Sequence, residues 1–110
     1  MANKEQLMRL RRSVTEWNEW RRANTDVQID LRDADLSGLD LRGVDLHGAL
    51  LCRAEMSCTN LRGADLSGAD LSDADLSDSS IVEAKFAGAD LASSNLWGTS
   101  LPGDESLKSN

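Results

Sequence analysis

One histidine and two cysteines are the only imidazole and thiol side chains in 110 residues. His47 has no Ser or Cys nucleophile pattern around it, so the sequence supports no catalytic triad and His47 reads as a surface residue. Cys52 and Cys58 make no disulfide framework and have no Cys/His partners at zinc spacing; they read as thiols in a reducing compartment. No run of eighteen apolar residues exists, so no segment is suited to spanning a membrane. The opening Met1-Ala2-Asn3-Lys4-Glu5 leads into an amphipathic segment rather than the unbroken apolar core of a signal peptide, and a cytoplasmic location is expected.

Positive charge is also scarce where it would matter for nucleic acid. Residues 1–28 hold six basic and four acidic side chains, whereas residues 29–101 hold five basic and thirteen acidic ones. The net charge of the whole chain is −7. Binding to phosphates depends on Lys and Arg, so the acidic body argues against direct contact with nucleic acid. It suits solubility, or a basic protein partner.

What the chain does have is a beat of five. From Leu31 to Leu101 every fifth residue is large and apolar, without a gap, through Met56, Ile81 and Phe86 among the leucines. Two residues before each stands a mostly small residue, alanine in eight cases, and between the two a polar one, usually Asp. All eight glycines fall two residues after the large apolar position. Such a period fits neither a helix, on which a five-residue step advances ~140°, nor a straight strand, on which odd steps alternate faces. The leucines share one side only if the chain turns once per repeat. The Ala and Leu positions then point inward, the Asp points out, and Gly or Ser makes the corner. Because Arg53 and Glu83 also occupy that corner, a left-handed backbone is not expected to be obligatory there. Stacking such turns lets each satisfy its backbone on its neighbours and builds a continuous apolar column.

The tandem Ala-Asp-Leu-Ser-Gly and Ala-Asp-Leu-Arg-Gly units resemble the A(D/N)LXX motif of pentapeptide-repeat proteins. The resemblance covers residues 29–101. It implies an all-β solenoid, a right-handed quadrilateral β-helix with four repeats per turn and just under four turns. Twenty-residue turns would stack Leu31, Leu51, Leu71 and Leu91 inside. Outside, Asp35, Glu55, Asp75 and Asn95 would line one side, with Asp30, Asp70 and Asp90 on its neighbour. Asp33, Arg53 and Asp73 would form an ion ladder.

Residues 1–28 read as an amphipathic helix and lead-in. The helix is expected over residues 3–23, with Asn3 as N-cap, Gln6 three residues on, and a stripe of Leu7, Leu10, Val14 and Trp17. Glu5 with Arg9 and Arg12 with Glu16 are spaced for pairing on its other face. A cap over the first turn, a partner helix and a membrane-surface helix are all open to it; the cap is the expected role. The stretch from Ser13 to Arg21 also resembles the lead-in of bacterial, often cyanobacterial, pentapeptide-repeat proteins. Residues 102–110 read as a C-terminal tail.

The carboxylates recur with the repeat, which assigns them to turns or solubility rather than to an acid–base pair. No calcium-loop or phosphate-loop spacing is present, so no catalytic, cofactor or metal residue is assigned and no enzyme is expected. Outward positions where the pattern slips mark a candidate interaction surface: Leu50, Val82 and Trp97, together with the acidic column Asp35, Glu55 and Asp75. The expected role is a rigid acidic scaffold that meets a protein partner, with no membrane and weak pairing of like C-terminal ends. Some relatives of this kind mimic duplex DNA and inhibit gyrase; that resemblance supplies the alternative, a DNA mimic that binds a DNA-handling enzyme.

Overall fold

A computed structural model describes residues 1–99. Leu101, the tail 102–110 and the expectations attached to them lie outside the described residues. From Asp30 onward, residues twenty apart are joined by parallel bridges: Asp30 to Leu50 to Asp70 to Asp90, and Asp35 to Glu55 to Asp75 to Asn95. The other two sides run Asp40, Asn60, Ser80 and Asp45, Asp65, Lys85. Four repeats therefore make one turn of a β-helix, and each side of the turn contributes a single bridged residue.

The local hydrogen bonds explain why a five-residue unit does this. Leu31 N–H donates to the Leu50 carbonyl at 2.8 Å, and Leu50 N–H returns to Ile29 at 2.9 Å. At the corner, Ala64 N–H donates back to the Leu61 carbonyl at 2.9 Å, closing a four-residue turn. The outward Asp acts on that corner, since its carboxylate accepts the backbone N–H two residues on. Asp70 does this for Ser72 and Asp35 for Ser37, at 3.0 and 3.1 Å, and Asn95 does it for Trp97 at 3.0 Å. An Asx turn of this kind needs only a short side chain with an acceptor oxygen, which is why Asp and Asn interchange in the motif.

The corner corrects one expectation. Arg53, Glu83, Asp33, Cys58, Asp73, Asp78 and Ser93 all have φ between 58° and 64°, like the glycines. The left-handed conformation recurs at every described corner, and from Asp33 to Asp78 the corner residue also donates to the next turn, as Arg53 N–H does to Ser72 at 2.9 Å. A non-glycine residue there costs roughly 1–3 kcal/mol, and the ladder and the packed column over-determine it.

Inside, Leu31, Leu36, Leu46, Leu51, Met56, Leu61, Leu66, Leu71 and Leu76 are fully buried, with the alanines beside them. At two polar small positions the hydroxyl is satisfied locally: Thr59 and Ser79 donate to the Met56 and Leu76 carbonyls at 2.8 and 2.6 Å. Towards the last described turn, Phe86, Leu91 and Leu96 are only partly buried.

The single helix expected over residues 3–23 is two helices, α1 (Lys4–Arg12) and α2 (Val14–Ala23). Ser13 leaves the helical conformation at φ −167° and its hydroxyl accepts from Glu16 N–H at 3.1 Å. Ser13 with Glu16 has the spacing of a capping box, a start signal in the middle of the segment. Twenty-one helical residues would run about 31 Å, longer than the 24 Å cross-section of the molecule. The break lets the segment bend across the end of the coil. It also places Arg12 and Glu16, expected to pair, on opposite sides of the bend, whereas Arg9 and Glu5 do pair at 3.8 Å.

The helices cover the first turn with side chains that take the place of a preceding turn's peptide groups. Gln6 accepts from Asp30 N–H at 2.8 Å and donates to Gln28 at 3.1 Å. Asn18 accepts from Asp45 N–H at 2.9 Å and donates to Gly43 at 3.0 Å. Trp17 Nε1–H donates to the Asp45 carbonyl at 2.8 Å, and Arg11 to that of Asp35. Beneath these bonds Leu10 and Trp17 are buried against the column.

Candidate functional site

The bridge register brings Asp35, Glu55 and Asp75 onto one side of the coil, in vertical succession. Their neighbours after the inward Leu36, Met56 and Leu76 are Ser37, Ser57 and Ser77, and the same position one turn later is Trp97, 66% exposed. Leu50 lies on the adjoining side, bridged between Asp30 and Asp70, and is half-buried. Val82 belongs to the side beyond, above Arg42 and Arg62, and is also half-buried. The six singled-out residues thus do not form one patch: Asp35, Glu55, Asp75 and Trp97 share a face, and Leu50 and Val82 flank it on different sides.

The two aspartates of this face are held by the turn geometry. Ser37 and Ser77 hydroxyls donate to Asp35 and Asp75 at 2.6 Å each. The bonds from Ser37, hydroxyl first and then backbone, hold the Asp35 carboxyl below its ordinary range. Elsewhere arginines do the same. Asp30 falls to about 2, chiefly through its hydrogen bond to Arg32, and Asp40 is lowered by Arg42. The expected ladder is half made: Arg53 grips Asp33 with two bonds of 2.8 and 3.1 Å, while Asp73 acts on it only through its field.

One cluster escaped the sequence reading. His47 Nδ1 lies 2.5 Å from the Asp45 carboxylate, and ligand atoms of Asp45, His47 and Asp65 lie within 4.8 Å of one another. This donor set would suit a cation, but Arg21 is already there. Its guanidinium is 3.3 Å from both ring nitrogens of His47 and donates to the Asp45 and His47 carbonyls at 3.2 and 3.0 Å. Burial lowers the pKa of Arg21, and the fields of Asp45 and Asp65 oppose that. Asp45 and Asp65 are the counter-charge of a buried arginine that fastens α2 to the first turn, with His47 beside them. The cluster's signal was present in the sequence only as separate residues, since nothing there places Arg21 over His47.

The geometry has a family counterpart. The profile for pentapeptide repeats matches residues 29–68 and 69–103. The chain belongs to the pentapeptide-repeat family. Among solved structures, a pentapeptide-repeat protein of the cyanobacterium Cyanothece is 27% identical over 68% of this chain and 61% of its own, with a TM-score of 0.42. HetL of the cyanobacterium Nostoc, involved in the regulation of heterocyst differentiation, is 30% identical over 72% and 43%, with a TM-score of 0.43. A pentapeptide-repeat protein of the Arabidopsis thaliana thylakoid lumen is 35% identical over 68% and 55%, with a TM-score of 0.35. This pentapeptide-repeat chain therefore spans less than two thirds of the length of each of the three. No curated protein matches the sequence. Among the described residues, no helix is long and apolar enough to cross a membrane.

Proposed function

We propose that this pentapeptide-repeat chain is a non-enzymatic scaffold that presents the Asp35–Glu55–Asp75 face to a protein partner. The observation that carries the reading is the construction of that face: Asp35 and Asp75 carboxylates pinned by Asx turns on a backbone ladder that also carries Glu55, ending in the exposed Trp97. A preset surface loses little conformational entropy on binding, and an exposed tryptophan is a favoured anchor. We take the chain as a cap over residues 1–28, a right-handed repeat coil of just under four turns over residues 29–101, and a tail over 102–110. The free thiols of Cys52 and Cys58 fit a reducing, cytoplasmic setting. Weak pairing of like C-terminal ends belongs to the same reading, supported by the partly buried Phe86, Leu91 and Leu96.

The test is affinity capture from the native host with mass spectrometry, run beside Asp35→Lys/Glu55→Lys/Asp75→Lys. A protein retained by the wild type and lost by the variant supports the reading; the same set of proteins on both sinks it. The alternative, a mimic of duplex DNA toward an enzyme such as gyrase, is favoured by the thirteen acidic residues in the repeat region. Length opposes it, because the long axis of 39 Å, cap included, matches only about eleven base pairs at ~3.4 Å each. Inhibition of supercoiling at micromolar concentration by demonstrably monomeric protein would promote the alternative.

A further inference from the structure

We infer that the end of this face around Trp97 binds an arginine-bearing segment of a partner protein. The indole takes the guanidinium plane, and Asp75 and Asp78 accept its N–H groups. This rests on the interaction-surface reading above and adds the chemistry of the partner.

The charges of the coil are unevenly matched. Three carboxylates of the first turn meet arginines of the same chain, Asp30 with Arg32, Asp40 with Arg42 and Asp33 with Arg53, at 2.7, 2.7 and 2.8 Å, and Glu83 meets Arg62 at 3.4 Å. In the later turns Asp73, Asp75 and Asp78 form no ion pair among the described residues. The repeat keeps supplying carboxylates there while the arginines stop. The group Asp73, Asp75 and Asp78 is thereby left open to an external cation.

Trp97 stands inside that unmatched group. Asp75 is bridged to Asn95, two residues before the indole, and Ser77 holds one oxygen of its carboxylate at 2.6 Å. Asp78 N–H donates to the Trp97 carbonyl at 2.8 Å. The Asp78 carboxylate folds over Gly98, close enough that a side chain at Gly98 would collide with it. The register thus places Asp75 and Asp78 on the turn below Trp97, one on the face and one at the corner, and Trp97 is 66% exposed.

A guanidinium fits this better than an ammonium, because it stacks flat on an aromatic face and bonds carboxylates through its edge. The molecule uses the same contact internally: the Arg9 guanidinium lies 4.8 Å above the Trp20 ring. Phosphate-bearing partners are repelled by the same carboxylates.

The probe is a fluorescein-labelled (Arg-Gly-Ser)4 peptide, with the Arg→Gln peptide as its control, followed by anisotropy at low salt. Binding of the arginine peptide alone is expected, weakened about tenfold by Trp97→Ala and at least as much by Asp75→Asn/Asp78→Asn. Glu83→Gln/Asp90→Asn removes the same charge from other sides and should leave the affinity within about twofold. Equal weakening by both double variants, or none by Trp97→Ala, would show diffuse attraction and overturn the proposal. If sedimentation shows the wild type already dimeric and Trp97→Ala monomeric, the occupant is a second copy and the proposal falls. Should host capture depend on Asp35, Glu55 and Asp75 while Trp97→Ala changes neither capture nor peptide binding, only the arginine assignment fails. Capture unaffected by the triple variant removes the underlying reading instead.

Discussion

The side-chain amide of Gln6 accepts the backbone N–H of Asp30 at 2.8 Å and occupies the place that a peptide group of an earlier turn would hold. The cap therefore continues the ladder as well as covering the core. Asn18 repeats the arrangement on the far side, at Asp45.

Gln6→Ala should consequently cost about 1–3 kcal/mol, because it leaves a donor and an acceptor without partners at a site only 6% exposed. Glu5→Ala, next to it on the solvent side, should change little. Thermal denaturation of the two variants checks this; matching melting temperatures would mean that water replaces the amide without loss.

Leu66 is fully buried and Asp65 faces out beside it. Leu66→Ala should cost about 2–5 kcal/mol through lost contacts and a cavity. Asp65→Ala removes the acceptor of Ser67 N–H and one of the two carboxylates whose fields act on Arg21, and should still cost less, about 0.5–1.5 kcal/mol. Denaturant titration distinguishes them, and equal losses would contradict the inward and outward assignment.

The column, the corner and the outward Asp could all be read from spacing, because a five-residue unit repeated without a gap has few ways to bury its leucines. The corner conformation at Arg53 and Glu83 could not. Their side chains suggest freedom, and at Arg53 the constraint comes from the next turn, about twenty residues away. The split at Ser13 was legible in principle, since Ser13 and Glu16 have capping-box spacing, but the unbroken apolar stripe from Leu7 to Trp17 masked it. The acidic column was placed correctly by counting. The Arg21–His47 contact was beyond reach, because it depends on how α2 lies across the first turn.

Gly63 tests the corner rule in isolation. Its φ is +70° and an added Cβ would meet nothing within 4 Å. Gly63→Ala should still lose about 1 kcal/mol, from backbone strain alone. Ser93→Gly, at φ 60°, should hold or raise the melting temperature. If Gly63→Ala melts with the wild type, the left-handed corner costs less than argued.

Asp30 sets a pH dependence. Its carboxyl lies at about 2 in the folded chain, below the ordinary 3.8, mainly because Arg32 bonds the charged form. A depressed carboxylate stabilises the fold fully above the unfolded value and loses that contribution as pH falls through the folded one. Acid unfolding should therefore draw on Asp30 between about pH 4 and 2. In a carbon-detected NMR titration, Arg32→Ala should move the Asp30 midpoint up toward its ordinary value. An unmoved midpoint would assign the shift to something other than Arg32.

Trp17 decides whether the helices cap the coil or merely accompany it. It is fully buried, its Nε1–H is spent on the Asp45 carbonyl at 2.8 Å, and its ring lies 5.4 Å from that of Trp20. Trp17→Ala should cost about 3–5 kcal/mol and loosen the cap without touching the repeats. Trp20 is only partly buried and should cost less. Deleting residues 1–24 goes further, baring the backbone edge of the first turn at Asp30 and Asp45 together with the ends of the leucine columns. Uncovered edges pair with other chains, so the truncated protein should aggregate or lose its cooperative melt. Sedimentation and thermal scans of the wild type, Trp17→Ala and the deletion form one graded series. A truncated chain that stays monomeric and melts like the wild type would show that the column closes itself and that the helices serve another purpose.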